Sequence, residues 1–327
     1  MKAKRAPSHP PVVSVLLPVF NGEDHIAESI ACILNQTLRD LELVIINDGS
    51  TDCTADIIQS FHDSRIRLYH NESNLKIVKS LNKGLSLCVG KFIARMDCDD
   101  LCDQNRLQRQ VNYLDRHPDV GICGTFQTIF GGHRDGEKRV PTSHEKIKAR
   151  LLFRPTMLHS TVMFRAALVG RYDLFYDGRF SYCEDYELWV RSARVTRLAN
   201  IPEFLCYYRW ERQKNWETDD LRLMEGLRAI WSQQLVELGC CPTEEDVRLH
   251  AALAGRGDPS TFDLWRTRRH LGKLIALNRL ANVHDKRALT REGQQAWLGL
   301  CGRRVAKSSL ARPILSAVRS LRRNSRL

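Results

Sequence analysis

The chain places three aspartates within four consecutive positions, Asp97, Asp99 and Asp100, directly after a strand-like run that ends at Met96. Carboxylates repel one another, so a fold that gathers three of them needs a positive charge close by. Divalent cations such as Mg²⁺ prefer oxygen ligands and usually combine one or two carboxylates with phosphate oxygens of a substrate. An Asp-x-Asp pair also occurs by chance in solvated loops, but parallel α/β sheets bind ligands at the carboxyl ends of their strands. The position of the cluster therefore predicts a metal and phosphate site.

Two other predicted strands also end in polar residues. The first strand ends in the segment 18–23, and the second ends in the segment 47–52, which contains Asp48. Because the carboxyl ends of parallel strands share one edge of a sheet, we expect these segments and the aspartate cluster to converge on one crevice. There Asp48 can accept a hydrogen bond from a nucleotide base, Asp97 can accept one from a ribose, and Asp99 can bind a metal. The alternative for 47–52 is a plain turn that caps the next helix.

The elements that position these segments follow from the spacing of apolar residues. Short runs rich in Val, Ile and Leu predict strands, and the stretches between them carry apolar residues at helical spacing. The predicted strands of the first hundred residues are 12–17, 41–46, 66–69 and 92–96. The predicted helices between them are 25–35, 54–61 and 75–88. This alternation predicts an α/β fold with a mostly parallel sheet and flanking helices.

Composition and charge limit the class of protein. The 327 residues are 43% hydrophobic and 27% charged, which is typical of a globular protein, and no run of about 18 apolar residues predicts a membrane span. The eleven cysteines are scattered without a C-x-x-C pair, which indicates reduced thiols and a cytoplasmic protein. The net charge of +12 is concentrated at the end of the chain, because residues 256–327 hold 17 Lys and Arg against 4 Asp and Glu.

Glycine-rich nucleotide motifs are missing. No G-x-G-x-x-G follows the first strand, and no G-x-x-x-x-G-K-[ST] occurs. A glycine-rich phosphate cradle is therefore not the way in which this sheet would hold a nucleotide.

Five segments together resemble the family 2 glycosyltransferases, and most closely the bacterial branch with an RMDADD-type motif. In order, the segments are VVSVLLPVFNGEDHI, LELVIINDGSTDCTADII, NLKIVKSLNKGL, ARMDCDD and YCEDYELWVR. They lie at natural spacing between about Val12 and Trp210. The resemblance implies a GT-A fold, in which a Rossmann-like nucleotide-binding sheet is joined to an acceptor-binding half. It also implies transfer from a nucleotide-diphosphate sugar with inversion at the anomeric carbon.

The same resemblance implies roles for the residues around the nucleotide. Pro18, Val19 and Glu23 match the segment that lines the nucleotide pocket. Asp48 matches the carboxylate that reads the base, which is usually uracil, and Lys79 matches a basic position near the nucleotide.

The resemblance also implies the residues that carry the chemistry. Asp97 and Asp99 match the D-x-D pair, with Asp99 as the direct ligand of a divalent cation, Mn²⁺ or Mg²⁺. Asp185 matches the general base, and Glu184 is its supporting neighbour. Both precede a helix predicted at 186–193, whose N-terminal dipole is expected to keep the carboxylates ionised. The alternative is an acidic helix start that has no catalytic role.

Two positions depart from the family pattern. Lys76 stands where many relatives have glycine, and Glu211 stands where relatives often have a histidine that reaches the metal or the diphosphate. Either the metal has fewer protein ligands, or a neighbour such as Arg209 or Arg212 holds the diphosphate. His159 falls in the half expected to face the acceptor, where a lone histidine is more often structural.

We divide the chain into three regions: a basic N-terminal tail at 1–11, a GT-A domain at 12–213 and a helical, basic region at 214–327. Within the GT-A domain, 12–100 forms the nucleotide-binding half and 101–213 the acceptor half. The segment 303–323 repeats apolar residues every three or four positions among Lys and Arg, a pattern typical of a helix that lies on an anionic membrane surface. A solvated face packed on the catalytic domain is the alternative. Nucleic acid is not expected as a partner, because no reading motif is present.

These observations predict a cytoplasmic, metal-dependent, inverting glycosyltransferase, with possible peripheral contact at the inner face of the membrane. Its expected partners are a nucleotide-sugar donor, most often a UDP-sugar in this family, and a glycan or lipid-linked acceptor. Two alternatives stay open, a nucleotidyltransferase and a catalytically inactive protein that binds sugar nucleotides. The intact Asp97, Asp99 and Asp185 argue against the second alternative.

Overall fold

The computed structural model describes residues 9–132, 135–210 and 220–307, which form two compact units. The first unit comprises the described chain up to Ile147 together with Pro155–Gly226. The second comprises Lys148–Arg154 and the described chain from Leu227 onward. The predicted division at 213/214 lies outside the described residues, as do positions 1–8 of the N-terminal tail and 308–323 of the predicted membrane helix.

Among the described residues, one nine-stranded sheet runs through the first unit. Its strands are β1 (Val13–Val19), β2 (Leu41–Asn47), β3 (Ile66–His70), β4 (Phe92–Arg95), β5 (Leu101–Cys102), β6 (Val120–Phe130), β7 (Gly136–Lys138), β8 (Met163–Arg165) and β9 (Arg197–Arg209). They lie in the order β3-β2-β1-β4-β8-β6-β9-β5, and β7 pairs with β6. β3, β2, β1 and β4 are parallel, whereas β8 is antiparallel to both β4 and β6. The sheet as a whole is mixed, and its parallel part is the one that the first hundred residues predict.

The register of the parallel part brings three strand ends to one edge. Val19 lies opposite Asn47, and Leu16 lies opposite Arg95. Every residue of β1 and β2 is buried, as expected of parallel strands that are covered on both faces. This burial explains why both strands read as nearly continuous apolar runs.

Eleven α-helices occur in the described part of the chain. They are α1 (Ile26–Leu34), α2 (Thr54–Ser60), α3 (Ile77–Leu87), α4 (Arg106–Arg116), α5 (His144–Leu151), α6 (Ala167–Tyr172), α7 (Glu184–Val195), α8 (Asp220–Glu237), α9 (Glu244–Leu253), α10 (Leu264–Ala281) and α11 (Lys286–Lys307). Two of the three boundaries between the units fall within α5 and α8, and the third follows Arg154. None of the helices in the described ranges is long and apolar enough to cross a bilayer.

Each unit has its own apolar core. In the first unit, α1 and α4 pack apolar residues against the parallel strands, as helical spacing requires. In the second unit, leucines of α8, α9, α10 and α11 pack together with Leu152 and Phe153. The Nε2–H of the buried His250 donates to the Leu152 carbonyl at 2.8 Å, and the His250 ring stacks on Phe153. The polar ring therefore forms part of this core.

Candidate active site

A crevice of about 740 Å³ lies at the shared edge of β1, β2 and β4, and is called the edge crevice below. Its lining includes seven of the nine predicted site residues, namely Pro18, Val19, Asp48, Lys79, Asp97, Asp99 and Glu184. A neighbouring cavity of about 270 Å³, called the second cavity below, is lined by Asp185. Asp97 lines both spaces, so the two share this residue.

Asp48 follows β2 and is 4% exposed. Its Oδ1 accepts hydrogen bonds from the Asn71 side chain at 2.7 Å and from the Leu75 backbone N–H at 2.9 Å. Gly49 allows this close approach, because its φ is +75° and a Cβ there would lie 2.7 Å from the Ser73 backbone. No described residue donates to Oδ2 of Asp48, which leaves that oxygen as an acceptor for a ligand N–H.

The turn before α3 supplies basic side chains to the edge crevice. Lys76 has φ of 71° and ψ of 164°, in the region that favours glycine, so the chain holds a strained residue at the position where the resemblance led us to expect glycine. Lys76 and Lys79 are exposed and line the crevice, and Arg222 of α8 lines it as well. These three cations face a space that also contains Asp97 and Asp99.

Asp97 is paired with Arg95, a buried residue that is 3% exposed. The Arg95 guanidinium pairs with Oδ2 of Asp97 and also donates to Ser160 Oγ at 3.0 Å, while Ser160 donates to the same Oδ2. Burial would by itself raise the pKa of Asp97, but the charge and hydrogen bond of Arg95 lower it below the ordinary value. Asp97 is therefore a fixed, ionised carboxylate.

The two other aspartates of the cluster have different surroundings. Apart from its own backbone N–H, no described residue makes a hydrogen bond or ion pair with the Asp99 carboxylate, and burial together with the charge of Asp97 raises its pKa to about 6. Asp100 is fully buried: its Oδ1 accepts from the Arg209 N–H at 3.0 Å, and its Oδ2 has no partner within the described ranges. Burial raises the pKa of Asp100 to about 8, so this residue is mostly protonated at neutral pH.

These carboxylates fit a divalent cation that shares its shell with phosphates. The described residues contain no group of three or more His, Cys, Asp or Glu side chains arranged to hold a metal. The protein therefore offers one or two carboxylates, Asp99 and Asp97, which is the number that Mg²⁺ takes when phosphate oxygens and water complete its shell. Asp99 supplies acceptor oxygens that lack a partner on any other described residue, in a crevice that is open to a ligand.

Glu184 and Asp185 open α7 and face different spaces. Glu184 lines the edge crevice, and its Oε2 is buried with no partner among the residues that the structure describes. Burial followed by the charge of Asp185 raises its pKa to about 7. Burial also raises the pKa of Asp185, although its Oδ1 accepts a hydrogen bond from the Tyr186 N–H at 2.7 Å. Desolvation thus raises both pKa values despite the helix dipole, and it leaves Glu184 partly protonated at neutral pH.

The second cavity joins Asp185 to polar groups from several strands. Lys138 of β7, Tyr208 of β9 and His159 line it with Asp185. His159 shares a 2.8 Å hydrogen bond with the hydroxyl of Tyr176, and burial followed by the charge of Arg95 holds its pKa well below the ordinary value. A neutral His159 thus forms part of the cavity wall.

Two sequence expectations find no support in the positions of the side chains. Glu23 is exposed and lies outside both cavities, where its carboxylate accepts from the Cys53 N–H at 2.8 Å at the start of α2. Arg209, considered as a diphosphate ligand, instead pairs with Glu28 and donates to the Asp99 carbonyl at 3.0 Å. Glu211 and Arg212 lie outside the described residues.

The sequence reasoning missed several residues of the site. Arg95 left one signal, since a charged residue stands inside a strand that is otherwise apolar and two positions before Asp97. Ser160, Lys138 and Arg222 left none, because nothing in their local pattern distinguishes them from surface residues. They reach the site only through the fold.

Comparison with known proteins supports the family expectation. The sequence model of Glycosyl transferase family 2 matches residues 14–179. The chain is 34% identical over 211 residues to a glycosyltransferase of Haemophilus influenzae, covering 61% of this chain and 65% of that one. It is 30% identical to the amylovoran biosynthesis glycosyltransferase AmsE of Erwinia amylovora, covering 60% of this chain and 75% of that one. The chain thus spans just under two thirds of the Haemophilus relative.

Solved structures share the fold. S. aureus TarS residues 1–349, in complex with UDP-GlcNAc, superimposes with a TM-score of 0.60 at 18% identity over 89% of this chain and 90% of that one. The mannosyltransferase PcManGT of Pyrobaculum calidifontis, in complex with GDP-Man and Mn²⁺, gives a TM-score of 0.55 at 15% identity over 92% and 89%. At these identities the likeness establishes the GT-A fold.

Proposed function

The chain belongs to glycosyl transferase family 2 and is a glycosyltransferase, and from this premise we propose that it moves a sugar from a nucleotide-diphosphate donor to an acceptor hydroxyl with inversion. One observation carries the proposal: the edge crevice and the second cavity meet at Asp97, and Asp185 lines only the second. A donor in the crevice and an acceptor in the cavity would then meet beside Asp97. Pro18, Val19 and Lys79 flank the donor.

The donor is a UDP-sugar in this proposal. Oδ2 of Asp48 accepts the N–H of the uracil ring, while its Oδ1 is held by Asn71 and Leu75. Relatives by fold hold UDP-GlcNAc in one case and GDP-Man in another, so the architecture accommodates more than one base. The base is therefore the first property to measure.

The diphosphate binds between the acidic cluster and the basic side chains of the crevice. Asp99, with Asp97, would hold Mn²⁺ or Mg²⁺, which neutralises charge on the leaving diphosphate. Lys76, Lys79 and Arg222 line the same crevice and offset the remaining negative charge. These three cations bind the diphosphate in place of Arg209, because the guanidinium of Arg209 is paired with Glu28.

Asp185 removes the proton from the acceptor hydroxyl. A hydroxyl is too weak an acid to attack unaided, and a positioned base contributes about 10²–10⁴-fold in rate. Because Oδ1 of Asp185 accepts from the Tyr186 N–H, the proton passes to Oδ2. The raised pKa of Asp185 strengthens it as a base, and the neighbouring Glu184 raises the negative charge beside it. Attack from this side, opposite the leaving diphosphate, gives inversion.

The acceptor is a glycan or a lipid-linked glycan of a polysaccharide pathway. Relatives named for amylovoran and O-antigen biosynthesis support this choice of pathway. We place the enzyme in the cytoplasm, with 214–327 as a separate basic helical region and 303–323 as a peripheral membrane contact. Of that contact only 303–307, at the end of α11, lies within the described residues.

Calorimetric titration with UDP, GDP and dTDP, each with and without Mn²⁺, tests the donor site. We expect Mn²⁺ to tighten the binding of UDP, and we expect the tightening to vanish in Asp99→Ala and to persist in Asp56→Ala, an exposed aspartate of α2. If Mn²⁺ affects none of the three nucleotides, the acidic cluster is not a diphosphate site.

Product analysis then separates the reaction classes. A glycosyltransferase releases UDP from UDP-sugar when acceptor is present, whereas a nucleotidyltransferase releases pyrophosphate from UTP. Tight binding without either product would identify an inactive sugar-nucleotide-binding protein.

A further inference from the structure

The helix α10 of the second unit has a strongly basic composition. Between Leu264 and Ala281 it contains five Lys and Arg and no Asp or Glu. Its buried residues, Thr267, His270, Leu271, Leu274 and Asn278, share one side of the helix. At about 100° per residue, the exposed residues away from this side form two groups. Arg266 and Lys273 lie along the edge that pairs with α9. The others are Trp265, Arg268, Arg269, Gly272, Ala276, Arg279 and Leu280, and these seven residues are called the outer face below.

The outer face exposes its large apolar side chains almost completely. Trp265 and Leu280 are each 86% exposed, more than any other large apolar residue of the described chain. They stand fifteen positions apart, which is about 22 Å along a helix, with three arginines on the same face. Helices that lie in the interface of a membrane typically combine a basic face with exposed Trp and Leu side chains, as this face does.

The cations of the outer face are not neutralised within the unit. On the flank of α10, Arg266 pairs with Glu245 at 3.2 Å, and Lys273 pairs with Asp246 at 3.0 Å. Arg268, Arg269 and Arg279 have no ion pair with any residue in the described ranges; Arg268 instead lies 5.9 Å from the ring centroid of Trp297. The acidic residues of α9 thus neutralise Arg266 and Lys273 on the flank, and the outer face stays positively charged.

A basic groove adjoins the outer face. It has a volume of about 470 Å³ and lies between the end of α10 and the start of α11. Arg279, Lys286, Arg287 and Arg291 line it, no acidic residue does, and none of the four has an ion pair within the described part of the chain. The groove therefore extends the positive surface beyond Leu280 and is large enough to admit a phosphate group.

We propose that the outer face of α10 and the adjoining groove form a docking surface for the anionic phospholipid headgroups of a membrane. Trp265 and Leu280 enter the headgroup region, while the arginines bind lipid phosphates, each cation strengthening binding about fivefold. A nucleic acid would engage the cations but would leave Trp265 and Leu280 in water. The proposed surface consists of described residues only, and docking there does not depend on the transfer reaction.

Sedimentation of the full chain with vesicles tests the surface. The vesicles are phosphatidylcholine alone, or phosphatidylcholine mixed with phosphatidylglycerol. We expect binding only to the anionic vesicles, and a loss of about a hundredfold or more in the triple variant Arg268→Glu, Arg269→Glu, Arg279→Glu. The matched control, Arg109→Glu, Arg116→Glu, Arg171→Glu, makes the same change in net charge at exposed positions of the first unit and is expected to retain most of the binding.

The apolar anchors have their own test. Trp265→Ala with Leu280→Ala is expected to weaken vesicle binding about tenfold, because both side chains lose their apolar burial in the interface. The blue shift of tryptophan fluorescence on vesicle binding should shrink in Trp265→Phe.

Equal vesicle binding by the outer-face triple variant and the control triple variant would overturn the proposal. Binding to anionic vesicles would then come from net charge or from 308–327. Loss of duplex RNA binding without loss of vesicle binding would also overturn it and identify a nucleic-acid surface. Because all seven outer-face residues are exposed, folding is expected to survive. An Arg→Gln version of the triple provides a milder variant for the same comparison.

Discussion

Buried carboxylates at the sheet edge of the first unit and buried histidines in the core of the second unit have pKa values shifted in opposite directions. At the edge of the sheet in the first unit, Asp99, Asp100 and Glu184 are partly or wholly buried, and burial raises their pKa values to about 6, 8 and 7. In the core of the second unit, His250 and His284 are buried, and burial lowers their pKa values to about 3 and 4. The physical cause is the same, because burial disfavours the charged form of any group.

The difference lies in what each region can do with the charge. The histidines become neutral and pack as core residues, and His250 does so with one hydrogen bond to the Leu152 carbonyl. The carboxylates line a crevice that is open to ligands, with Arg95 as the buried cation that fixes Asp97. Repulsion among them is relieved when a cation binds, so the acidic edge of the first unit favours a bound cation, whereas the neutral histidines of the second unit do not.

The largest expected effect concerns Asp185. Asp185→Asn keeps the shape of the side chain but cannot take a proton, so kcat should fall by about 10²–10⁴-fold. Donor binding should be unchanged, because Asp185 lines the second cavity and not the edge crevice. Steady-state kinetics and nucleotide titration of the same preparation measure both. A variant that loses donor binding to the same extent would contradict the assignment of Asp185 as base.

The next effect concerns the buried cation. Arg95→Met removes the partner of the half-buried Asp97 and should lower the free energy of unfolding by about 3 kcal/mol, the lower end of what breaking a buried pair costs. Urea unfolding measures this loss. The matched control is Asp115→Asn, which breaks the exposed pair of Asp115 with Lys91 and should cost less than about 1 kcal/mol. Similar losses in the two variants would show that the pair of Arg95 with Asp97 stabilises the fold no more than an exposed ion pair does.

The third prediction is that the buried carboxylate of Glu184 lowers the free energy of unfolding. Its pKa is about 7 in the folded protein against an ordinary 4.5, so its ionisation opposes folding increasingly as pH rises from 4.5 through 7. Glu184→Gln should therefore raise the free energy of unfolding at pH 8 by about 3 kcal/mol and have little effect at pH 4. Unfolding curves at both pH values check this. A variant that is destabilised at pH 8 would contradict the prediction.

His250 should show the opposite pH dependence. Its folded pKa of about 3 lies below the ordinary 6.5, so above pH 6.5 it is neutral in both states, and below it only the unfolded chain binds the proton. The free energy of unfolding should fall by about 2 kcal/mol between pH 6.5 and pH 5 from this residue. His250→Phe should remove that share of the pH dependence, at a constant cost for the unpaired Leu152 carbonyl. An unchanged slope in urea unfolding across this range would contradict it.

Much of the site could be predicted because its residues follow strands. The apolar runs that became β1, β2 and β4 are visible in the sequence, and parallel pairing brings their ends together. Asp48, Asp97 and Asp99 reach the edge crevice for that reason. The position of Glu184 and Asp185 at the start of a helix was also readable, but their pKa values were not, since desolvation depends on atoms from the whole fold.

What the sequence by itself determined was therefore the set of strands and helices, the family and the acidic residues at strand ends, because hydrophobic periodicity and motif spacing are local properties. Only the tertiary structure decided that Arg95 and Ser160, 65 positions apart, clamp Asp97 together, that Glu23 turns away to α2, and that Arg209 is held by Glu28. It also decided the outer face of α10, because the acids that neutralise its flank come from α9. Charge state and pairing depend on burial and on distant partners, and these exist only once the chain has folded.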